Sequence, residues 1–365
     1  MNDYHHIINN TTNNNFNNRL VIYGVGNTGK SVARYLISQE RDIVSFIDHN
    51  ATPHQHYLNI PVYKLEEFIQ LYNASEFDLL IAIHNRNIDI KLLIENFSDL
   101  GFISLLTMID YANTFPKDET FRYWLSPRSL YAKYHDKIRT LENLLADEES
   151  KDWLRRILQF RITGDYSLLP TPDFENQYSP HELKKWPNPL RLIDCGAYNG
   201  DTIIHLLHQG YNIEKILAFE PDLENFEELA HKFSNIDHYY FPCGVSSCNC
   251  LVNFNAGSGE GSHQISEGGI SVPMVRIDDI APHFAPNLIK MDVEGGEFEA
   301  LLGAKNTISN YKPGLAISLY HRPEDIFDLP LLIESWGLGY KFYIRGHQHS
   351  SFDSVLYAMQ FSYTT

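Results

Sequence analysis

Short apolar runs alternate with segments of helical periodicity along most of the chain. Apolar runs at residues 20–26, 43–49 and 78–84 are rich in Val, Ile, Leu and Phe, and helical patterns follow them. This alternation predicts a βαβαβα unit, with a parallel sheet covered by helices on both faces. We therefore expect a Rossmann-like domain at residues 19–106.

The strand signal disappears between residues 107 and 189. Residues 129–145 and 150–160 carry apolar side chains at three- and four-residue spacing, which predicts helices. Prolines then recur over residues 170–189 and favour an extended connector. Residues 107–189 are thus predicted to be a helical linker region, and the polar residues 1–18 a disordered leader.

A second alternation of strands and helices begins at residue 190. It ends in two apolar runs, at residues 340–348 and 354–361, that are separated only by a short turn. Such a pair predicts an antiparallel hairpin at the end of a mostly parallel sheet. The predicted fold class is α/β, with two parallel-sheet Rossmann-like domains joined by the linker, the second at residues 190–365.

Charge and composition narrow the classes of partner. The chain has 365 residues and a formal net charge of −17, which disfavours nucleic acid. No run approaches the ~20 apolar residues that span a bilayer, and the N-terminus lacks the pattern of a signal peptide. These features predict a cytoplasmic protein without membrane insertion. The four cysteines are too few for a disulfide framework and are expected to be reduced.

The first glycine-rich turn, at residues 24–31, fits two phosphate-binding motifs. Gly24, Gly26 and Gly29 form GxGxxG, and Asp48 ends the following strand as in dinucleotide-binding folds. Gly24, Gly29, Lys30 and Ser31 also fit the P-loop pattern GxxxxGKS, but a P-loop would need a Mg²⁺-holding acid and a larger domain. Two alternatives remain for this turn. Either Gly24, Gly26, Gly29 and Asp48 form a weak nucleotide site, or the glycines serve only close packing.

The second glycine-rich turn follows the strand at residue 190 and has the form DxGxxxG. Asp194, Gly196 and Gly200 make up this motif, and Glu220 ends the next strand. Asp194 can accept a hydrogen bond from an ammonium group, and Glu220 can bind two ribose hydroxyls. Both groups occur in S-adenosylmethionine (SAM), and ligands of such folds lie beyond the carboxyl ends of the strands.

The motifs DCGAYNGDT, FEPD, PCGVSS, VRIDDI, IKMDVEGGE, ISLYHRPED and SVLYA occur in this order over residues 190–360 and together resemble the FkbM-type methyltransferase family. The resemblance implies a class I SAM-dependent methyltransferase fold that acts on a hydroxyl of a sugar or polyketide-like substrate. It implies that the cofactor contacts the following residues: Asp194, Gly196, Ala197, Tyr198, Gly200, Glu220, Pro221, Asp222, Cys243 and Gly244. Cys243 and Gly244 are expected near adenine, with packing at the end of the strand as the alternative.

Charged residues cluster at the end of the strand near residue 290 and just after it, where Glu297 is interpreted as an acid in the first turn of a helix, a position that the helix dipole favours. Lys290, Asp292 and Glu294 alternate along the chain, which predicts that they share one face. His321 follows the next strand, so we expect it beside Asp292, with His321 as general base and with Asp292 either orienting it or contacting the sulfonium side of the cofactor. We expect no metal, and a divalent cation held by Asp292, Glu294 and His321 is the alternative.

The sequence thus predicts a SAM-dependent O-methyltransferase that acts on a sugar or a glycoconjugate or secondary-metabolite precursor. The alternative is a nucleotide- or nucleotide-sugar-binding protein whose methyltransferase half is only a scaffold. The expected partner is a small molecule or carbohydrate, and a homodimer is left open. The glycine- and serine-rich residues 255–274 predict a mobile loop or hairpin over the site, or a plain surface insertion.

Overall fold

The computed structural model describes residues 4–12, 14, 16, 18–118, 121–233, 236–255, 263–265 and 270–360. The chain divides into two compact units. Unit 1 comprises Met1–His135, Leu154–Pro172 and Gln348–Phe352. Unit 2 comprises Asp136–Trp153, Asp173–His347 and Asp353–Thr365.

Unit 1 is built on a sheet whose order is β3-β4-β2-β1-β5-β6. All neighbouring strands are parallel except the short pair β3 and β4. The central strands β1 and β5 carry almost continuous buried apolar side chains, as a sheet covered on both faces requires. The strands are β1 (Leu20–Tyr23), β2 (Ile43–Ile47), β3 (His56–Tyr57), β4 (Ile60–Tyr63), β5 (Asp78–Ile81) and β6 (Ser104–Leu106).

Helices connect these strands, as the alternation predicts. Helix α2 buries Gly29, Val32, Ala33 and Leu36, which lie on one face at helical spacing. The helices are α1 (Tyr4–Asn10), α2 (Asn27–Ser38), α3 (Leu65–Leu71), α4 (Ile90–Ser98), α5 (Met108–Thr114) and α6 (Ser129–Lys133). Short 3₁₀ turns occur at Ala74–Glu76, Tyr166–Leu168 and His349–Ser351.

The structure differs from the disordered leader expected at residues 1–18. Tyr4 begins helix α1 and is buried. Phe16 is also buried, and its ring packs at edge-to-face angles on those of Tyr111 and Phe115. The polar composition of this segment did not predict that Phe16 is buried. A single buried aromatic ring contributes on the order of 2 kcal/mol to stability.

Unit 2 contains the sheet that positions the candidate site. Its order is β16-β17-β15-β14-β7-β8-β9, and the first pair forms an antiparallel hairpin beside otherwise parallel strands. The strands are β7 (Leu190–Cys195), β8 (Ile213–Phe219), β9 (Asp237–Phe241), β14 (Leu288–Met291), β15 (Gly314–Ser318), β16 (Lys341–Gly346) and β17 (Ser354–Met359). The α/β class, the parallel sheets and the terminal hairpin are confirmed.

A smaller sheet of order β10-β13-β11-β12 belongs to the same unit. Its strands are β10 (Gly244–Val245), β11 (Cys250–Asn255), β12 (His263–Ile265) and β13 (Ile270–Val275). The segment predicted as a loop or hairpin thus contributes β12 and β13, and β13 runs antiparallel to β11. The rest of that segment, residues 256–262 and 266–269, lies outside the described residues.

The residues predicted as a separate linker are distributed between the two units. Their apolar side chains enter both cores, so helix α7 belongs mainly to unit 2 while α8 begins in unit 2 and ends in unit 1. The remaining helices are α7 (His135–Leu144), α8 (Glu148–Thr163), α9 (Asp201–His208), α10 (Leu223–Lys232), α11 (Ile277–Ile280), α12 (Glu297–Gly303), α13 (Lys305–Tyr311) and α14 (Asp325–Glu334). Among the described residues, no helix has the length and apolar character that a bilayer crossing requires.

Candidate functional site

The glycine-rich turn between β7 and α9 approaches the backbone of a neighbouring strand end. Gly196 has a φ of +71°, and a Cβ atom there would lie 1.9 Å from the carbonyl oxygen of Asp292. Gly200 has a φ of +85°, and a Cβ atom would lie 2.4 Å from the ring of Phe233. Only glycine satisfies both conditions at these positions. The turn therefore lies tightly against the end of β14.

Glu220, which follows β8, holds this turn through its side chain. Its Oε2 accepts a hydrogen bond of 2.8 Å from the Tyr198 N–H, and its Oε1 accepts one of 2.8 Å from the Asp222 N–H. Burial raises the pKa of Glu220 to about 7, against the effect of the two backbone hydrogen bonds. The predicted ribose-binding carboxylate is thus at the turn, at the carboxyl ends of β7 and β8.

Asp194 and Lys290 form a buried ion pair beneath the turn. Lys290 Nζ lies 3.1 Å from Asp194 Oδ1 and donates a hydrogen bond of 2.6 Å to the carbonyl of Gly196. Burial raises the pKa of Asp194 to about 6 although Lys290 opposes this shift. Burial disfavours the charged form of Lys290, but attraction to Asp194 and Asp292 outweighs it and raises the pKa of Lys290.

The pair corrects the role expected for Lys290. Strand β14 ends at Met291, so the alternation that placed Lys290 with Asp292 and Glu294 stops there. Lys290 supports the glycine-rich turn instead, and its own ammonium occupies the position that was expected for a ligand ammonium beside Asp194.

The other predicted cofactor contacts have structural roles in this fold. Asp222 caps α10 by accepting hydrogen bonds from the Glu224 and Asn225 N–H groups. Ala197 and Cys243 are buried, and Pro221 is half-buried. Gly244 packs against Met274, whose sulfur would lie 2.5 Å from a Cβ atom. A contact of these residues with the cofactor stays a prediction.

Asp292, Glu294 and His321 converge beyond the ends of the neighbouring strands β14 and β15. His321 Nε2 lies 3.4 Å from Asp292 Oδ1 and 3.7 Å from Glu294 Oε2. Glu294 has a φ of +52°, a left-handed conformation in which it leaves the strand direction. The side chain of His321 is only 2% exposed, whereas Asp292 and Glu294 are 19% and 29% exposed.

Glu297 holds the other side of the imidazole ring. Its Oε1 lies 2.8 Å from His321 Nδ1 and accepts a hydrogen bond of 2.8 Å from the Val293 N–H. Burial lowers the pKa of His321, but attraction to Glu297 and Glu294 outweighs it and raises the pKa to about 10. At neutral pH the ring therefore carries a proton on both nitrogens. This opposes the role of general base predicted for His321.

Sequence reasoning read Glu297 mainly as an acid that favours the first turn of α12, and did not include it in the predicted site. The donor atoms of Asp292, Glu297 and His321 lie within 4.8 Å of one another. The structure thus contains a group that could hold a metal ion, although the sequence favoured a site without one.

Tyr178, in the proline-rich connector, was also missed. Its hydroxyl donates a hydrogen bond of 3.3 Å to Asp292 Oδ2, and the Tyr320 hydroxyl donates one of 3.3 Å to Oδ1. The Tyr178 N–H donates to the Tyr357 hydroxyl, and that hydroxyl lies 2.8 Å from His347 Nε2. This chain of contacts fixes the connector against β17 and aims Tyr178 at Asp292.

The first glycine-rich turn, in unit 1, has a similar carboxylate contact. Asp48 Oδ2 accepts a hydrogen bond of 2.9 Å from the Val25 N–H. A Cβ atom on Gly29 would lie 2.0 Å from the carbonyl oxygen of Gly24, so close packing accounts for this glycine. The Lys30 ammonium lies over the ring of Tyr57, which does not favour the P-loop interpretation. A nucleotide site at Gly24, Gly26, Gly29 and Asp48 stays a prediction.

The arrangement in unit 2 suits a polar reaction beside a cationic ligand. Glu220, Asp292 and Glu294 give carboxylates at the carboxyl edge of the sheet, which attract positive charge and disfavour phosphate. Asp292 has two tyrosine hydroxyls and an imidazole within 3.4 Å, so its position is well defined.

Comparisons with known proteins agree with this geometry. Residues 194–349 match the methyltransferase FkbM domain, and residues 19–92 match the PglD N-terminal domain. The chain is 28% identical, over 185 residues, to the hexuronic acid methyltransferase AglP of Haloferax volcanii, an alignment that covers 44% of this chain and 76% of the relative.

A solved structure shares the fold. The methyltransferase FkbM from Methylobacillus flagellatus has a TM-score of 0.77 and 24% sequence identity, with coverage of 98% of this chain and 94% of that chain. The resemblance stated from the sequence is confirmed. The chain is a methyltransferase that carries an FkbM-type domain at residues 194–349 and a Rossmann-like domain of the PglD N-terminal type at residues 19–92.

Proposed function

We propose that this chain transfers a methyl group from SAM to a hydroxyl group of a sugar or of a glycoconjugate or secondary-metabolite precursor. The methyltransferase domain supports the reaction class. The name of the Haloferax volcanii relative, a hexuronic acid methyltransferase, supports a sugar-related acceptor. The observation that carries the proposal is the contact between the Glu220 carboxylate and the backbone of the glycine-rich turn.

The charges at the turn fit SAM better than a dinucleotide. SAM carries a sulfonium and an ammonium group, whereas NAD carries a pyrophosphate. Carboxylates of Glu220, Asp292 and Glu294 lie near the turn and would repel a pyrophosphate. The buried pair of Asp194 and Lys290 is neutral overall and supports the turn without attracting an anion.

Glu220 is the residue that we assign to the ribose of the cofactor. Each carboxylate oxygen accepts one backbone hydrogen bond and keeps a further lone pair for a hydroxyl donor. Gly196 and Gly200 allow the backbone of the turn to approach a ligand closely. When bound, SAM supplies an electrophilic methyl group.

Asp292 is the residue that we assign to the acceptor side. It is more exposed than His321, and two tyrosine hydroxyls hold its carboxylate. The acceptor hydroxyl becomes more acidic as its oxygen gains a bond to carbon, so a carboxylate suffices to take its proton. His321 positions Asp292. The sequence predicted the reverse, with His321 as the general base and Asp292 as a residue that orients it or contacts the cofactor.

Calorimetry tests the cofactor assignment. SAM is expected to bind the wild-type chain, and Glu220→Ala should weaken binding at least tenfold because the ribose loses its acceptor. The matched control is Glu214→Ala, which removes an exposed carboxylate from the same strand β8. Binding of NAD in place of SAM, or equal SAM affinity in both variants, would contradict the assignment.

The acceptor is tested with radiolabelled SAM and a panel of hexoses and hexuronic acids. A hexuronic acid offers a carboxylate as well as hydroxyls, and the two products differ in alkali. Methyl ethers survive mild alkali, whereas methyl esters release methanol. We expect an alkali-stable label, and an alkali-labile label would contradict transfer to a hydroxyl.

Unit 1 gives a second proposal, a nucleotide or nucleotide-sugar at the turn of Gly24, Gly26 and Gly29. The contact of Asp48 with the Val25 N–H supports it, since this contact repeats that of Glu220 in unit 2. Asp48→Ala should remove binding of a nucleotide-sugar measured by calorimetry and leave SAM binding intact. The expected homodimer stays a prediction.

A further inference from the structure

A carboxylate–imidazole cluster lies beyond the ends of β14 and β15, with two carboxylates on the same nitrogen of His321. His321 Nε2 faces Asp292 Oδ1 at 3.4 Å and Glu294 Oε2 at 3.7 Å. Cis ligands of an octahedral Mg²⁺ or Mn²⁺ site, each ~2.1 Å from the ion, lie about 3 Å apart. Both distances from His321 Nε2 are therefore only slightly longer than the spacing of neighbouring ligands in such a site.

Glu297 occupies the opposite nitrogen of the same ring. His321 Nδ1 lies 2.8 Å from Glu297 Oε1, and this oxygen also accepts the Val293 N–H. A carboxylate on one imidazole nitrogen holds the proton there, so a cation binds at the other nitrogen in exchange for the proton on it, which is the usual support of a metal-binding histidine. One imidazole ring binds a cation through only one nitrogen. Glu297 therefore orients the His321 ring, and Asp292, Glu294 and His321 offer the ligand atoms.

The cluster carries more negative than positive charge. Among the described residues, Asp292, Glu294, Glu297 and Asp325 interact electrostatically with the His321 ring or with one another. The positive groups beside them are this ring, the exposed Arg322 next to Asp325, and Lys290, which attracts Asp292 but is paired with Asp194. Buried carboxylates need neutralisation, and a divalent cation supplies it at one point.

A second observation concerns the buried side of the cluster. The Glu297 side chain is fully buried, and its Oε2 accepts no hydrogen bond within the described part of the chain. A buried carboxylate oxygen without a donor is costly, so the group is incomplete as it stands. Added positive charge at the cluster would stabilise it.

We propose that Asp292, Glu294 and His321 bind one divalent cation of the Mg²⁺ and Mn²⁺ class, with Glu297 as the positioning residue. One imidazole and two carboxylates suit these ions. The partial exposure of Asp292 and Glu294 leaves positions of the ion open towards the crevice. The role of the ion rests on the proposed function: it would bind the acceptor oxygen, while Asp292 Oδ2 remains to take the proton.

The test uses Mn²⁺ alone and the full-length chain, without SAM or acceptor. Electron paramagnetic resonance follows the loss of the free Mn²⁺ signal. We expect one bound ion, displaced by Mg²⁺, with affinity reduced at least a hundredfold in Asp292→Asn and about 10- to 100-fold in Glu297→Gln. Near-ultraviolet circular dichroism checks that each variant is folded.

Glu299→Gln is the matched control, because it removes a carboxylate from the same helix α12, where Glu299 accepts a hydrogen bond from Ser247. Its Mn²⁺ affinity should equal that of the wild type. Absence of Mn²⁺ binding at millimolar concentration, or equal binding in folded Asp292→Asn, would overturn the proposal. SAM calorimetry separates the metal-site hypothesis from the proposed function. SAM binding without Mn²⁺ binding would contradict the metal site alone. Mn²⁺ binding without SAM binding would contradict the proposed cofactor.

Discussion

Lys290 Nζ lies 3.1 Å from Asp194 Oδ1, and both side chains are almost completely buried. The ammonium also donates to the carbonyl of Gly196, so it ties the end of β14 to the glycine-rich turn after β7. The two residues occupy register partners on neighbouring parallel strands, which explains why their side chains meet. The pair joins the core of the sheet to the proposed cofactor site.

Loss of Lys290 should destabilise the chain strongly. Lys290→Met leaves Asp194 as a buried charge without its cation and should lower the free energy of unfolding by about 3 to 5 kcal/mol. Urea unfolding measures the change. Lys215→Met is the control, because its exposed pair with Asp237 should contribute below ~1 kcal/mol. Equal effects of both substitutions would contradict the structural role of the buried pair.

The close approach of Gly196 to Asp292 gives a second prediction. In Gly196→Ala, the new Cβ atom would lie 1.9 Å from the Asp292 carbonyl oxygen, so the turn or the end of β14 must move. We expect SAM affinity and turnover to fall at least tenfold. Gly210→Ala has a similar φ of +85° but meets no atom within 4 Å, and should show only a strain of about 1 to 2 kcal/mol. Unchanged SAM affinity in Gly196→Ala would count against the turn as cofactor site.

Tyr178 is predicted to position Asp292. Tyr178→Phe removes the hydroxyl at 3.3 Å from Asp292 Oδ2 but keeps the ring and the backbone hydrogen bond to Tyr357. A lost hydrogen bond of about 1 kcal/mol predicts a fall in kcat of about fivefold with unchanged SAM affinity. Tyr311→Phe, which removes a hydroxyl bonded to the Pro282 carbonyl, is the control. A change in SAM affinity with constant kcat would assign Tyr178 to the cofactor side.

Asp292 should matter for turnover more than for cofactor binding. Asp292→Asn keeps the shape of the side chain but removes the proton acceptor, and we expect kcat to fall about 10²- to 10⁴-fold. His321→Ala should lower kcat as well, through the lost support of Asp292, with SAM affinity nearly intact. Single-turnover rates and calorimetry measure the two quantities separately. Full turnover of Asp292→Asn would exclude this residue as the proton acceptor.

Acid should destabilise the folded chain through His347. Burial lowers the pKa of His347 from 6.5 to about 4. In the window between these values the unfolded chain binds more protons, so stability is complete above pH 6.5 and is lost as pH falls towards 4. The loss amounts to about 3 kcal/mol. In His347→Gln, urea unfolding should depend less steeply on pH over this window, and an unchanged slope would contradict the assignment.

Much of the fold follows from local pattern. Continuous apolar runs predicted the parallel strands, and the short turn between the last two runs predicted the hairpin of β16 and β17. The contact between Asp292 and His321 was predicted from topology, because the carboxyl ends of neighbouring parallel strands lie at the same edge of the sheet. These inferences need only periodicity and topology.

The remaining features depend on tertiary contacts that periodicity does not encode. Tyr178 belongs to a connector without a repeating pattern, and only its hydrogen bonds to Tyr357 and Asp292 bring it to the site. Glu297 looked like an acid at a helix start, since nothing local distinguishes that role from a contact with His321. Phe16 was an isolated aromatic residue in a polar tract, and its burial required partners far along the chain.

The hydrogen bonds of Glu220 to the Tyr198 and Asp222 N–H groups join parts of the fold itself. The loss of conformational entropy at this turn therefore occurs during folding and does not reduce the affinity for a ligand that enters later. A preorganised turn of this kind favours rapid exchange of spent for fresh methyl donor between turnovers, because this turn does not have to reorder each time.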